Sequence, residues 1–127
     1  MPLPAMKKKI LVIEDEPVIA EMISIILEIQ GFRVISLADT SRARKKLHDK
    51  EVHLVMLDLN LHGEGGEALC EYIKSHTDLK HIPVILVSAN INIEQIKERC
   101  GADDLIKKPF DLDHFIDKVN SYTSSVV

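Results

Sequence analysis

Five residues able to do chemistry each follow an apolar run: the acidic pair Glu14-Asp15, then Asp58, Ser88 and Lys108. Several carboxylates facing one crevice repel each other, and a bound cation offsets that repulsion. Mg²⁺ suits such a set because it prefers oxygen ligands and keeps several waters. One or two carboxylates, a backbone carbonyl such as that of Asn60 and a phosphate oxygen would complete its shell. A carboxylate can then attack phosphorus and become an aspartyl phosphate. The Ser88 hydroxyl and the Lys108 ammonium would share with the metal the neutralisation of the three equatorial oxygens of the transferring group. Taken singly, each residue has a plainer explanation. Asp58 can be a nucleophile, a metal ligand or a turn residue, Ser88 a turn former, and Lys107-Lys108 a solvated pair. The combination is what points to phosphoryl transfer.

Positioning those residues requires elements that all end on one edge. Ile10 to Ile13, Leu54 to Leu57 and Pro83 to Val87 are apolar without alternation, the pattern of parallel strands covered on both faces. Arg33 to Leu37, after Gly31, and Leu105 to Lys107, after the Gly101 to Asp104 turn, are weaker strand candidates. Between them the helical period recurs. Pro17 suits a first helical position, Val18, Ile19, Met22, Ile23, Ile26 and Leu27 form a stripe, and Gly31 is a stop. A second helix runs from Thr40 or Ser41 through Lys50, with Ala43 and Leu47 inward. Ala68, Leu69, Tyr72 and Ile73 pattern a third. Asn92 with Gln95 resembles a capping box opening a fourth that reaches Cys100. A fifth begins near Asp111, with Leu112, Phe115, Ile116 and Val119 on one face. Five strands alternating with five helices predict a doubly wound α/β sandwich, with the site beyond the carboxyl ends of the strands at a switch in strand order.

Composition narrows the field. A chain of 127 residues fits one domain, read as an N-terminal extension over 1–8, a core domain over 9–122 and a frayed tail over 123–127, with fraying expected from Ser121 on. A net charge of −4 and only 4% aromatics, without an arginine-rich arm, argue against a nucleic-acid surface. Cys70 and Cys100 have no metal-ligand spacing, and MPLPAMKKK lacks the apolar segment of a signal peptide. The expectation is a reduced, cytoplasmic protein with no membrane anchor, every apolar run being far below the roughly 20 residues that span a bilayer. The histidines at 48, 53, 62, 76, 81 and 114 show no ligand spacing and read mostly as exposed.

The segments ILVIEDEP, VMLDLNL, VILVSA and GADDLIKKPF resemble the response-regulator receiver family of two-component signalling over nearly the whole chain, like single-domain chemotaxis-type regulators. The resemblance implies a flavodoxin-like fold of strand order 2-1-3-4-5. It makes Glu14 and Asp15 the Mg²⁺-binding pair, Asp58 the phosphoacceptor and further ligand, and Asn60 the donor of a carbonyl to the metal. Ser88 becomes the switch hydroxyl, and Lys108, which precedes Pro109 and an expected cis bond, the phosphate-binding lysine. Two positions depart from the family pattern: His62 stands where proline is usual, and Leu105 where an inward-turning tyrosine or phenylalanine is usual.

The function so implied is a phosphoacceptor module. It would be charged by a histidine kinase or histidine phosphotransfer protein and would signal through a downstream protein or through an output domain of a longer chain. Two alternatives are weighed against it. A haloacid-dehalogenase-type phosphatase would want a second aspartate where Asn60 stands, and a non-phosphorylated binding module would not need every catalytic position filled by a competent residue.

Overall fold

A computed structural model describes residues 7–49, 51–61 and 65–124. Five parallel strands, β1 (Lys9–Ile13), β2 (Arg33–Leu37), β3 (Leu54–Leu57), β4 (Val84–Ser88) and β5 (Asp104–Lys107), form one sheet of order β2-β1-β3-β4-β5. The intervening helices are α1 (Pro17–Ile29), α2 (Ala43–Asp49), α3 (Gly66–Ser75), α4 (Ile93–Cys100) and α5 (Leu112–Thr123). The expected fold class and strand order are both present.

Strand alternation divides the apolar runs between two cores. Ile10 and Val12 of β1, Leu54 and Met56 of β3, Ile85 and Val87 of β4 and Ile106 of β5 face Ile23 and Leu27 of α1 and Phe115 and Val119 of α5. Their sequence neighbours Leu11, Ile13, Val55, Leu57, Val84 and Leu86 face Ala43, Leu47, Leu69, Ile73, Ile93 and Ile96 on α2, α3 and α4. A strand with a core on each side has no polar face, which is why the three central runs do not alternate. The two strands with weaker signals, β2 and β5, lie at the edges, where one flank meets solvent.

Several helix faces differ from the periodic expectation. Val18, Met22 and Leu112 are exposed, at 78%, 43% and 49%, because α1 and α5 each present only a narrow stripe to the sheet. On α3 the inward positions are Leu69, Cys70 and Ile73, and Ala68 faces out. Asn92 precedes α4 but makes no side-chain cap bond; its N–H instead donates to Asn90 Oδ1 at 2.8 Å, an Asx turn that replaces the expected capping box. Asp111 does cap α5, its Oδ2 accepting from His114 N–H at 3.0 Å. That helix runs through Thr123, which is buried and whose carbonyl accepts from Lys8 Nζ, so helical structure continues beyond the expected start of fraying at Ser121 and of the tail at 123. Residues 1–6, Lys50, His62 and 125–127, on which parts of the expected extension, second helix, departure from proline and tail fall, lie outside the described residues.

Candidate phosphoryl-transfer site

Parallel strands end on one edge, and the sheet order puts β3 between β1 and β4. From β1 the chain crosses first to β2 on one side and later to β3 on the other, so the switch point lies between the carboxyl ends of β1 and β3. Glu14 and Asp58 occupy that point. The ladder continues into both: Glu14 N–H donates to the Leu37 carbonyl and Asp58 N–H to the Ile13 carbonyl, each at 3.0 Å. Both carboxylates are buried, at 3% and 6% exposure.

Lys108 joins them. Its backbone N–H donates to the Ser88 carbonyl at 3.0 Å, which ties the β5–α5 connection to the end of β4. Its ammonium donates to Glu14 Oε1 and, at 3.3 Å, to Asp58 Oδ2. Lys107, one residue back, points away and pairs with Glu94 of α4 at 2.8 Å, with both side chains exposed. The Lys108–Pro109 peptide is cis, as the resemblance implied. Ser88 is buried, and its Oγ accepts from Asn90 N–H at 3.1 Å, leaving the hydroxyl proton free to be donated. Asn60 N–H donates to Asp58 Oδ1 at 3.0 Å, fixing the aspartate rotamer.

Electrostatics set the demand for a cation. Carboxylate oxygens of Glu14, Asp15 and Asp58 lie within 4.8 Å of one another. Burial, then hydrogen bonding and charge from Asp58, push the Glu14 carboxyl above its ordinary value against the opposing bond from Lys108. Burial alone would lower Lys108, but the Glu14 bond and the charges of Asp58 and Glu14 outweigh it and hold the ammonium above its ordinary value. Three gathered carboxylates, two of them bonded to the Lys108 ammonium, make an all-oxygen donor set. That chemistry fits a hard divalent ion such as Mg²⁺.

One residue shaping this site has no chemical signature of its own. A Cβ built on Gly66, the first residue of α3, would lie 2.2 Å from the Asp58 carbonyl oxygen, so only glycine lets α3 start against the strand end that carries Asp58. The adjacent Gly65 meets nothing within 4 Å, and the GEGG run alone does not say which glycine is required.

A parallel doubly wound sheet with an acidic pocket, a lysine and a hydroxyl at its switch point defines the class of phosphoacceptor signalling domains. Residues 10–120 match the response regulator receiver domain model, and the chain belongs to that family, the receivers of two-component systems. The DNA-binding response regulator MtrA of Mycolicibacterium smegmatis is 32% identical over 107 residues, covering 83% of this chain and 46% of that protein. The phosphate regulon transcriptional regulatory protein PhoB of Escherichia coli is 35% identical over 108 residues, covering 83% and 47%. This chain therefore spans about half the length of the curated relatives it matches. Among solved structures, the signal receiver domain of a signal transduction histidine kinase from Syntrophus aciditrophicus is 30% identical with a TM-score of 0.84, covering 94% of this chain and 97% of that one. The fold alone is also shared with the receiver domain of a sensor histidine kinase from Pseudomonas aeruginosa, solved with magnesium in its active-site cleft. That match has a TM-score of 0.86 and 23% identity and covers 94% of this chain and all of the other. No match is to a haloacid-dehalogenase-type phosphatase among these relatives.

Proposed function

We propose that Asp58 accepts a phosphoryl group from a phosphohistidine, with Glu14, Asp15, Asp58 and the Asn60 carbonyl as the residues that would hold Mg²⁺. The observation that carries this reading is the Lys108 ammonium bridging two buried carboxylates, Glu14 and Asp58, at the switch point of the sheet. In the transfer, the phosphorus–nitrogen bond of the donor breaks as an Asp58 oxygen forms the new phosphorus–oxygen bond, and the imidazole leaves with the electron pair. Lys108 exchanges its Asp58 contact for a phosphoryl oxygen, and Ser88 donates its free hydroxyl proton to another. The metal, when bound, supplies charge neutralisation at the remaining oxygens.

The donor's approach is suggested by α1, which begins two residues after Asp15. Val18, Met22, Ile25 and Ile29 are all exposed and repeat at intervals of four, three and four, the spacing of a helix-pairing seam. Glu21 and Glu28 flank it, so two copies of this seam would set acid against acid, and a donor helix with basic flanks fits better. Downstream, the surface of α4, β5 and α5 would meet the target protein or output domain, in the cytoplasm, with Ile91 at 92% exposure as one contact; Ile93, two residues on, is buried in the core. The described residues contain no helix long and apolar enough to cross a membrane.

Acetyl phosphate with Mg²⁺ tests the chemistry. Intact mass should show one added phosphoryl group on the wild type and none on Asp58→Asn. Equal labelling of both would move the acceptor elsewhere, and labelling that persists in excess chelator would remove the metal. Met22→Glu should leave this labelling unchanged but slow transfer from a phosphorylated histidine phosphotransfer domain.

A further inference from the structure

We propose that Cys70 and Cys100 form an oxidisable dithiol, a modification site that a peroxide converts to an intramolecular disulfide joining α3 to α4. Neither thiol has a part in phosphoryl transfer. They are the only cysteines in the chain, 30 residues apart in sequence, and both turn into the same seam, at 0% and 3% exposure. Cys70 Sγ donates to the Cys100 carbonyl oxygen at 3.5 Å, and Cys100 Sγ donates to the Lys97 carbonyl one turn back at 3.8 Å. Buried cysteines are usually inert apolar fillers, so burial alone says nothing. The register of the seam says more.

Three residues of α3 at intervals of three and four, Glu67, Cys70 and Lys74, occupy one face of that helix. Each meets its own partner at the carboxyl end of α4 or in the turn just after it. Glu67 takes Arg99 in a two-bond pair at 2.5 and 2.8 Å, Cys70 meets Cys100, and Lys74 pairs with Asp103 at 2.6 Å. Lys74 also donates to the Ile82 carbonyl at 2.7 Å, anchoring that rung to the entry of β4. Ion pairs on both sides thus hold in register the stretches of α3 and α4 that carry the thiols.

The two sulfurs are unequal. Cys100 closes the short helix α4 and keeps some exposure, at 3%, while Cys70 lies within α3 and has none. Cys100 is therefore the sulfur that peroxide meets first, and it attacks as its thiolate. Its sulfur bonds to one peroxide oxygen, the oxygen–oxygen bond breaks, and the departing oxygen leaves as water after taking up a proton. Cys70 sulfur then attacks the Cys100 sulfenic acid, the sulfur–oxygen bond breaks, and the hydroxide leaves as a second water with the Cys70 proton. Two thiols lose two electrons in all, and one peroxide becomes two waters. Hydrogen peroxide is little larger than water, and local opening of the short helix α4 would admit it.

The disulfide would fix α4 to α3 beside the surface that α4 shares with β5 and α5. Treatment of the reduced, folded protein with hydrogen peroxide, followed by alkylation and intact mass, should give monomer lacking two hydrogens and carrying no alkyl group, reversible by dithiothreitol. Proteolysis should join the Cys70 peptide to the Cys100 peptide. In Cys70→Ala, dimedone should trap a sulfenic acid at Cys100. Hydrogen exchange at the Ile96 to Cys100 amides should slow by about tenfold or more in the oxidised form, because the covalent tie suppresses local opening. The site is refuted if the folded wild type keeps two alkylatable thiols under peroxide that oxidises the urea-unfolded chain, or if only interchain dimers form. Unchanged exchange in α4 of the oxidised monomer would overturn the restraint on that helix.

Discussion

Lys107 and Lys108 are neighbours of one type with opposite surroundings: one meets Glu94 in solvent, the other two buried carboxylates. Removing Lys108 should slow acetyl phosphate labelling roughly tenfold or more, since one donor to the transferring oxygens is lost, and should abolish the spectral change that follows it. Lys107→Ala should leave both within experimental error, and comparable impairment of the two variants would reject the assignment. Gly66 makes a second residue-scale contrast. A methyl group there must displace the Asp58 carbonyl, so Gly66→Ala should destabilise by about 1–3 kcal/mol in urea melts and slow labelling as well. Gly65→Ala, with open space around it, should change stability by less than about 1 kcal/mol. Glu14, Asp58 and Ser88 were legible in the sequence because each follows a continuous apolar run, and Lys108 because it stands directly before Pro109 in a segment that resembles the family. Gly66 was not, because its requirement arises only when the first turn of α3 crosses the Asp58 carbonyl.

Elements were legible in proportion to how buried they are. The three central strands carry cores on both faces and read as unbroken apolar runs, whereas β2 and β5 lie at the edges, and their pattern is diluted by Arg33, Ser36 and Lys107. Helix faces were the less legible part. The run from Val18 to Ile29 contains an inner stripe, Ile19, Ile23, Ile26 and Leu27, and an exposed outer one, and hydrophobicity alone does not tell them apart. Capping was legible where a carboxylate could reach the third amide, as at Asp111, and misleading at Asn92, where Asn90 takes the amide first. The edge strand β5 also depends on polar ties that periodicity does not report. Asp104 Oδ1 accepts from Lys118 Nζ at 2.8 Å and Oδ2 from Tyr122 Oη at 3.0 Å, fastening β5 to α5. Burial opposes ionisation of Asp104, but the bonds from Lys118, the Leu105 amide and Tyr122 outweigh it and leave its carboxyl below the ordinary value, while Tyr122 is pushed up to about 12. A carboxylate with a depressed folded value contributes stability that is present above its unfolded value and lost as pH falls through the folded one. Asp104→Asn should therefore cost on the order of 1 kcal/mol at pH 7. The difference from wild type should shrink as pH drops below the ordinary carboxylate range, and a gap that is constant or widens in acid would contradict the account.

At the scale of the whole molecule, a receiver is a two-state device, and phosphorylation can move it only by the difference in stabilisation between the states. Leu105 bears on that difference. It sits on β5 opposite Leu86 and packs against the core that includes Ile93 and Ile96 of α4, while its carbonyl accepts from Lys118 of α5 at 2.8 Å. It thus touches every element of the surface proposed to signal. A leucine there offers less area than an aromatic ring and no hydroxyl, so an inward rotation would add little to the phosphorylated state. The coupling from Ser88 to the α4, β5 and α5 surface should be correspondingly small. Backbone amide shifts measured with and without beryllofluoride should be strong around Asp58 and Ser88 but partial over α4 and α5, consistent with a fast-exchanging mixture. Leu105→Tyr should enlarge the distant shifts while leaving those beside Asp58 in place. If the wild type already shows a saturated change across that surface, and the tyrosine adds nothing to it, position 105 does not limit the switch.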